Sequence, residues 1–159
     1  MGRILSEIRS ARVVRSSGDM STTIRSYRDL IVWQKAMDLA NLVYDMTDRF
    51  PPNEQFGLTF QMRKAAVSIP SNIAEGSRHR TAGYVALVVI ALGEHAELET
   101  QAMISDRRGY LRKADREKFW SLSTEVGQLA HGLLRSLEAQ LPPQQIPGHQ
   151  SHKSQIPNP

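Results

Sequence analysis

Between residues 30 and 140 the apolar side chains recur at intervals of three and four, and no run of alternating β-branched residues interrupts them. That period confines the chain to helices packed on helices. In a first segment Leu30, Trp33, Met37, Ala40, Tyr44 and Thr47 form one stripe, predicted to be the buried face, before Phe50-Pro51-Pro52 ends it. A second segment starts at about Asn53 or Glu54, with Asn53 as its N-cap, and runs through Phe56, Phe60, Ala66 and Val67 to Pro70. The missing N–H and ring clash of Pro70 predict a kink there, and Gly76 is the stop signal. A third segment, about 81–108, sets Tyr84, Leu87, Val88, Ala91, His95, Leu98 and Ala102 on neighbouring rows and ends at Gly109. The fourth, about 114–140, opens with Asp115 and Glu117 at the positive end of the helix dipole and carries Phe119, Leu122, Val126, Leu129, Leu133 and Leu137. The short connections between these segments predict an all-α fold: an antiparallel up-down four-helix bundle with a Pro-kinked second helix.

The bundle is expected over 27–140 and accounts for one domain of a 159-residue chain. Residues 1–26 hold Arg3, Arg9, Arg12, Arg15 and Arg25 against Glu7 and Asp19. They read as a flexible arm or as a misplaced start upstream of Met20, although the Arg- and Ser-rich composition also suits a transit peptide. Residues 141–159, with five prolines and four glutamines, are expected to be disordered. The formal net charge is +4, yet residues 27–140 contain equal numbers of basic and acidic side chains. The tails therefore produce the basic balance, and any nucleic-acid contact by the bundle must come from local clusters.

Several chemistries find no residues to carry them. The chain has no cysteine, which removes disulfides, thiolate metal sites and cysteine nucleophiles. A di-metal bundle site needs two Glu-x-x-His pairs, and no glutamate stands three positions before any of the five histidines. His95 and Glu99, one turn apart, are two ligands at most, and His95 reads as a hydrogen-bonded histidine at the bundle seam. Glu94, Glu97 and Glu99 read as solvated or ion-paired surface residues. No nucleophile elbow, phosphate-binding loop or dinucleotide fingerprint is present. The longest apolar run, from Tyr84 to Leu92, is about half of what a membrane span needs. The expectation is a soluble, cytoplasmic, non-enzymatic protein without cofactor or membrane partner. Trp33 and Trp120 could serve as stacking platforms for bases, but Trp33, on the stripe, reads as core, and Trp120 as flank packing or an interface residue.

Two basic clusters remain. Arg63, Lys64, Arg78, His79 and Arg80 face only Glu75 between 61 and 80. Arg107, Arg108, Arg112, Lys113, Arg116 and Lys118 face only Asp115 and Glu117 between 107 and 118. In an up-down bundle these two turns cap opposite ends. Basic residues at helix C-termini also complement the dipole, but six within twelve positions exceed what one helix end uses.

The stretches Tyr27-Arg28-Asp29-Leu30-Ile31-Val32-Trp33-Gln34 and Val67-Ser68-Ile69-Pro70-Ser71-Asn72-Ile73-Ala74-Glu75-Gly76, with Glu97-Leu98-Glu99-Thr100-Gln101 and Gly109-Tyr110-Leu111, carry a further signal. This pattern resembles the four-helix bundle proteins encoded in intervening sequences of bacterial 23S ribosomal RNA genes. The family is similar in turn to the accessory protein of diversity-generating retroelements. The resemblance implies a bundle, a barrel-shaped homopentamer, a nucleic-acid-binding basic exterior, and a reverse transcriptase as a conceivable partner. It also gives Ser71 and Asn72 the task of satisfying backbone groups freed by Pro70. The chain departs from the family at Ala86–His95, which lacks the usual mid-helix basic residue, so the two end clusters are left as the candidate phosphate contacts.

Self-association has a separate argument. Ile31, Leu39, Leu42 and Met46 on the first helix, and Val85, Val89 and Leu92 on the third, lie off the main stripes and predict a second apolar surface. The sequence thus points to a homo-oligomeric scaffold contacting RNA or DNA through Arg107, Arg108, Arg112, Lys113 and Arg116, with Arg63, Lys64, Arg78 and Arg80 as a second patch. The alternative is a protein-binding adaptor, for example of a reverse transcriptase, whose basic ends touch no nucleic acid.

Overall fold

The computed structural model describes residues 25–142. Apart from Arg25, Ser26, Leu141 and Pro142, the expected arm and tail lie outside that range. Four helices and no strand make up the described residues: α1 (Ile31–Thr47), α2 (Leu58–Gly76), α3 (Thr81–Arg107) and α4 (Lys113–Glu138). Each packs on two others, α1 and α3 both lying against α2 and α4, which is the four-cornered arrangement of an all-α bundle.

Local chemistry sets the helix boundaries. A 3₁₀ turn, Tyr27–Asp29, precedes α1 and is closed by a capping box: Ser26 accepts from Arg28 N–H, and Asp29 accepts from Ser26 N–H at 2.9 Å. The second helix begins later than expected. Pro52–Glu54 forms its own 3₁₀ turn, and Asn53 caps nothing. Instead Glu54 reaches forward one turn and accepts from Leu58 N–H at 3.1 Å, placing a carboxylate on the positive end of α2. Helix α3 ends as its glycine predicts. Gly109 has φ +76°, Tyr110 N–H bonds Ser105 C=O and Gly109 N–H bonds Asp106 C=O, the paired bonds of a left-handed C-cap.

Gly76 plays a different role from the left-handed stop expected of it, since Gly109 is the one described glycine with positive φ. A Cβ on Gly76 would stand 2.9 Å from Cε2 of Tyr84, and closer still to Cδ2. The α2–α3 turn therefore closes over an aromatic ring, whose buried hydroxyl is left without a partner and has its pKa pushed up by desolvation. Gly76→Ala is expected to cost about 1–3 kcal/mol by overpacking, readable as a lower denaturant midpoint.

Pro70 lies inside α2, and the helix is continuous on both sides of it. The carbonyl it leaves without a backbone donor is that of Ala66. Ser71 and Asn72 bond the carbonyls of Val67 and Ser68 instead, so they do not supply the compensation expected of them.

The core corrects the reading of α1. Val32, Ala36, Leu39, Val43 and Met46 are buried at spacings of four, three, four and three, together with Leu42 and Ala40. Of the predicted inner stripe, Leu30, Ala40 and Thr47 are buried and Trp33 partly so, but Met37 and Tyr44 are 37% and 43% exposed. Leu39, Leu42, Met46 and Val85 are therefore core residues, and they no longer argue for a second apolar surface. The expected rows of α3 and α4 do face inward: Val88, Leu98 and Ala102 from one, Phe119, Val126, Leu133 and Leu137 from the other. By length and composition α3 alone among the described helices could cross a membrane, but its Tyr84, Val88, Leu98 and Ala102 row is packed inside the bundle.

At mid-height a polar clasp joins α3 to α4. His95 Nε2 lies 3.0 Å from Ser123 C=O and 2.8 Å from Ser123 Oγ, while Ser123 Oγ donates to Glu99 Oε1 at 2.8 Å. A carbonyl and a carboxylate only accept, so the imidazole proton must sit on Nε2 and the hydroxyl proton must point at Glu99. A nucleophile–base pair has the reverse polarity, with the histidine accepting from the serine. The role of this group is to satisfy buried polar atoms at a helix seam.

Candidate nucleic-acid interface

Side-chain contacts show which helix ends meet. Arg49 at the end of α1 pairs with Asp115 at the start of α4, Ser105 near the end of α3 bonds Met62 near the start of α2, and Tyr110 bonds Glu54. One end of the bundle therefore gathers the α1–α2 and α3–α4 connections. Arg63 belongs to that end, because it bonds Thr47 and Asp48. Arg78 belongs to the other, lying 6.0 Å from the ring of Tyr27 before α1. The first basic cluster is thus split by the length of α2, about 22 Å for fifteen residues. Arg63 and Lys64 join the second cluster, and Arg78 and Arg80 stand apart.

Within the gathered end the bases differ in what they are free to do. Arg116 is held by Asp106 at 2.9 Å, and Arg63 by Asp48 at 2.6 Å while it lies 4.7 Å from the Tyr44 ring. Arg108 donates to Tyr110 Oη, whose hydroxyl in turn donates to Glu54; the hydrogen bond to Tyr110 raises the arginine pKa further. Lys113 has Glu117 at 3.9 Å, but both side chains are largely exposed and such a pair is weak. Lys118 lines a groove between α1 and α4 together with Asp38, Asp45 and Glu125, surroundings unsuited to a phosphate. Arg107, Arg112 and Lys64 are exposed and have no carboxylate within 4.0 Å among the described residues. Arg78 and Arg80 at the opposite end share that condition.

The sequence reading passed over Arg28, which lies 5.5 Å from the Tyr27 ring and so stands with Arg78 around one aromatic side chain. The signal was available in the Tyr27 to Trp33 motif, whose two rings meet edge to face at 5.3 Å.

Of the residues expected to form a second apolar surface, Val89 on α3 and Ile31 on α1 are exposed, and the exposed apolar face lies mainly on α3. On α3, Val89, Ile90, Met103 and Ile104 are each between 44% and 48% exposed, on a face that also shows Ala86, Gly93, Ala96 and Thr100 and a single charge, Glu97. A helix face of that length with so few charges is unusual for a monomer's surface.

Fold and site together define a class: an all-α bundle with a cationic end and one largely apolar exposed helix face. Residues 28–132, more than half of the chain, match the model of the 23S rRNA-intervening sequence protein family, and the chain belongs to that family. The fold is shared with a crystal structure from Bacteroides thetaiotaomicron, described as a protein with unknown function from the S23 ribosomal protein family. The TM-score is 0.61 at 22% identity, over 66% of this chain and 96% of that one. No curated protein matches.

Proposed function

We propose that the chain is a non-enzymatic, homo-oligomeric cytoplasmic scaffold that binds RNA or DNA phosphates without sequence readout. The observation that carries this reading is the convergence of Arg107, Arg112, Lys113 and Lys64 on one bundle end, exposed and free of close carboxylates or only weakly paired. Arg116 and Arg63 leave the proposed contact set because their charges are already matched by Asp106 and Asp48. Arg108 is a positioning residue that ties the α3–α4 turn through Tyr110 to Glu54. Arg78 and Arg80 form a separate, smaller patch.

Self-association uses the outward face of α3, and five is the subunit number that the family resemblance implies. A ring repeats the cationic end on one rim and turns weak contacts into usable affinity. Ile90→Glu or Met103→Glu should lower the mass measured by light scattering to that of a smaller species with the helical content retained. An unchanged mass would remove α3 from the interface. Binding itself is tested by isotherms at several salt concentrations. Affinity should fall steeply with salt for any sequence, and absence of binding at low salt would reject the reading.

The same α3 face favours a second reading, a protein-binding adaptor such as an accessory partner of a reverse transcriptase. That reading expects partner binding to survive neutralisation of Arg107, Arg112 and Lys113.

A further inference from the structure

We propose that the groove between α1 and α2 stacks unpaired bases of a single-stranded nucleic acid, whose phosphates are held by Arg28, Arg78 and Arg80. This inference rests on the nucleic-acid reading above and narrows it to a strand type and a site. The groove has a volume of about 290 Å³, at the small end of sites that take organic ligands, and is lined by Tyr27, Trp33, Met37, Tyr44, Val67 and Pro70. None of its lining residues is charged.

Three aromatic side chains along one groove of a small bundle are more than the core requires. Tyr44, Met37 and Val67 are each about 40% exposed although they are apolar or aromatic, and Trp33 is only partly buried. Trp33 and Tyr44 are eleven residues apart on α1, about 16 Å, which gives a short strand two separate platforms, Tyr44 with the Arg63 guanidinium already over one side of its ring at 4.7 Å. Between the two platforms Asn41 offers an exposed amide with both donor and acceptor capacity, which can bond the edge of an unpaired base without selecting among bases.

Charge decides between possible occupants. Arg28 and Arg78 lie 5.5 and 6.0 Å from the Tyr27 ring, Arg80 follows in the same turn, and none of the three has a carboxylate within 4.0 Å among the described residues. An apolar peptide or a second copy of the chain would fill the groove but leave these cations unused. A single strand presents a planar base and a phosphate in each repeat and matches both features. A duplex keeps its bases inside and can use the arginines alone.

The test uses the full chain with Trp120→Phe, so that Trp33 is the only tryptophan. It is titrated with a short oligo(dA), with an abasic strand of the same length, and with the corresponding duplex. Oligo(dA) should quench Trp33 emission and bind about tenfold more tightly than the abasic strand. Tyr44→Ala, and independently Val67→Glu, should remove that tenfold advantage and leave abasic binding unchanged for Tyr44→Ala. Both positions are 43% exposed, and a retained melting temperature confirms folding. Equal affinity for oligo(dA) and the abasic strand with Trp33 unquenched overturns the inference and leaves the phosphate reading standing. If no strand binds at low salt, both fall. If the variants lower the assembly mass and do not change strand affinity, the groove is a subunit contact and the inference is overturned.

Discussion

The full chain carrying Arg107→Gln, Arg112→Gln and Lys113→Gln is expected to lose on the order of 10²-fold affinity for mixed-sequence duplex at about 50 mM salt. The slope of log affinity against log salt should fall by about three, roughly one for each phosphate contact removed. Because these side chains are exposed and at most weakly paired, their neutral replacements should fold normally. The comparison that gives this result its meaning is Arg116→Gln and Arg63→Gln. Both residues lie at the same end of the bundle, but each already faces a carboxylate, Asp106 and Asp48. Their loss should change binding little and cost at most about 1 kcal/mol of stability. Equal losses in both sets would mean that net charge alone matters. Unchanged binding by the triple variant, with the assembly intact, would transfer the function to the adaptor reading.

A second large effect separates two faces of α1. Leu39→Ala removes a fully buried side chain and should destabilise the bundle by about 2–5 kcal/mol, lowering Tm by roughly 10 °C or more. Met37→Ala, two residues away, should cost within about 0.5 kcal/mol because Met37 already meets solvent. Urea titrations with equal m-values would establish that both changes act on the native packing. The opposite order would restore the stripe through Trp33, Met37 and Tyr44 as the inner face.

That contrast shows where sequence reasoning reached its limit. Both sets on α1, Leu30-Trp33-Met37-Ala40-Tyr44 and Val32-Ala36-Leu39-Val43-Met46, are apolar and both keep the helical spacing. A period establishes a helix, but it cannot phase one that has two apolar faces; α2 and α4 bury the second set whole and of the first only Leu30, Ala40 and part of Trp33. On α4, where polar residues separate the apolar ones, the inner row through Phe119, Val126 and Leu133 was legible. Gly109 was legible too, because its conformation is a local requirement. The reason for Gly76 was not, since it lies in a ring contributed by Tyr84, eight residues later.

The site was less legible than the fold. Counting charges between 61 and 80 grouped Arg63 with Arg78, although a helix spanning nineteen residues separates its ends by about 28 Å. Ion pairs that cross between helices, Arg63 with Asp48 and Arg49 with Asp115, are invisible to counting within a window. Arg116 with Asp106, a carboxylate just outside the 107–118 window, and Arg108 with Tyr110 reduce the run of six basic residues to a smaller set with available charge.

The His95 clasp has a consequence for assembly. If α4 slipped along α3 by one turn, about 5.4 Å, the imidazole would face Phe119 or Gly127 in place of Ser123. Its N–H would still meet a backbone carbonyl, but the Ser123 hydroxyl would be gone and Glu99 would lose its donor, a loss of about 1–3 kcal/mol. When several identical chains crowd together, helices from neighbouring copies offer nearly equivalent apolar rows, and hydrophobic matching alone tolerates such misalignment. The clasp penalises every shifted pairing, so it serves as a proofreading mark that keeps each α4 aligned with an α3 in a single vertical setting.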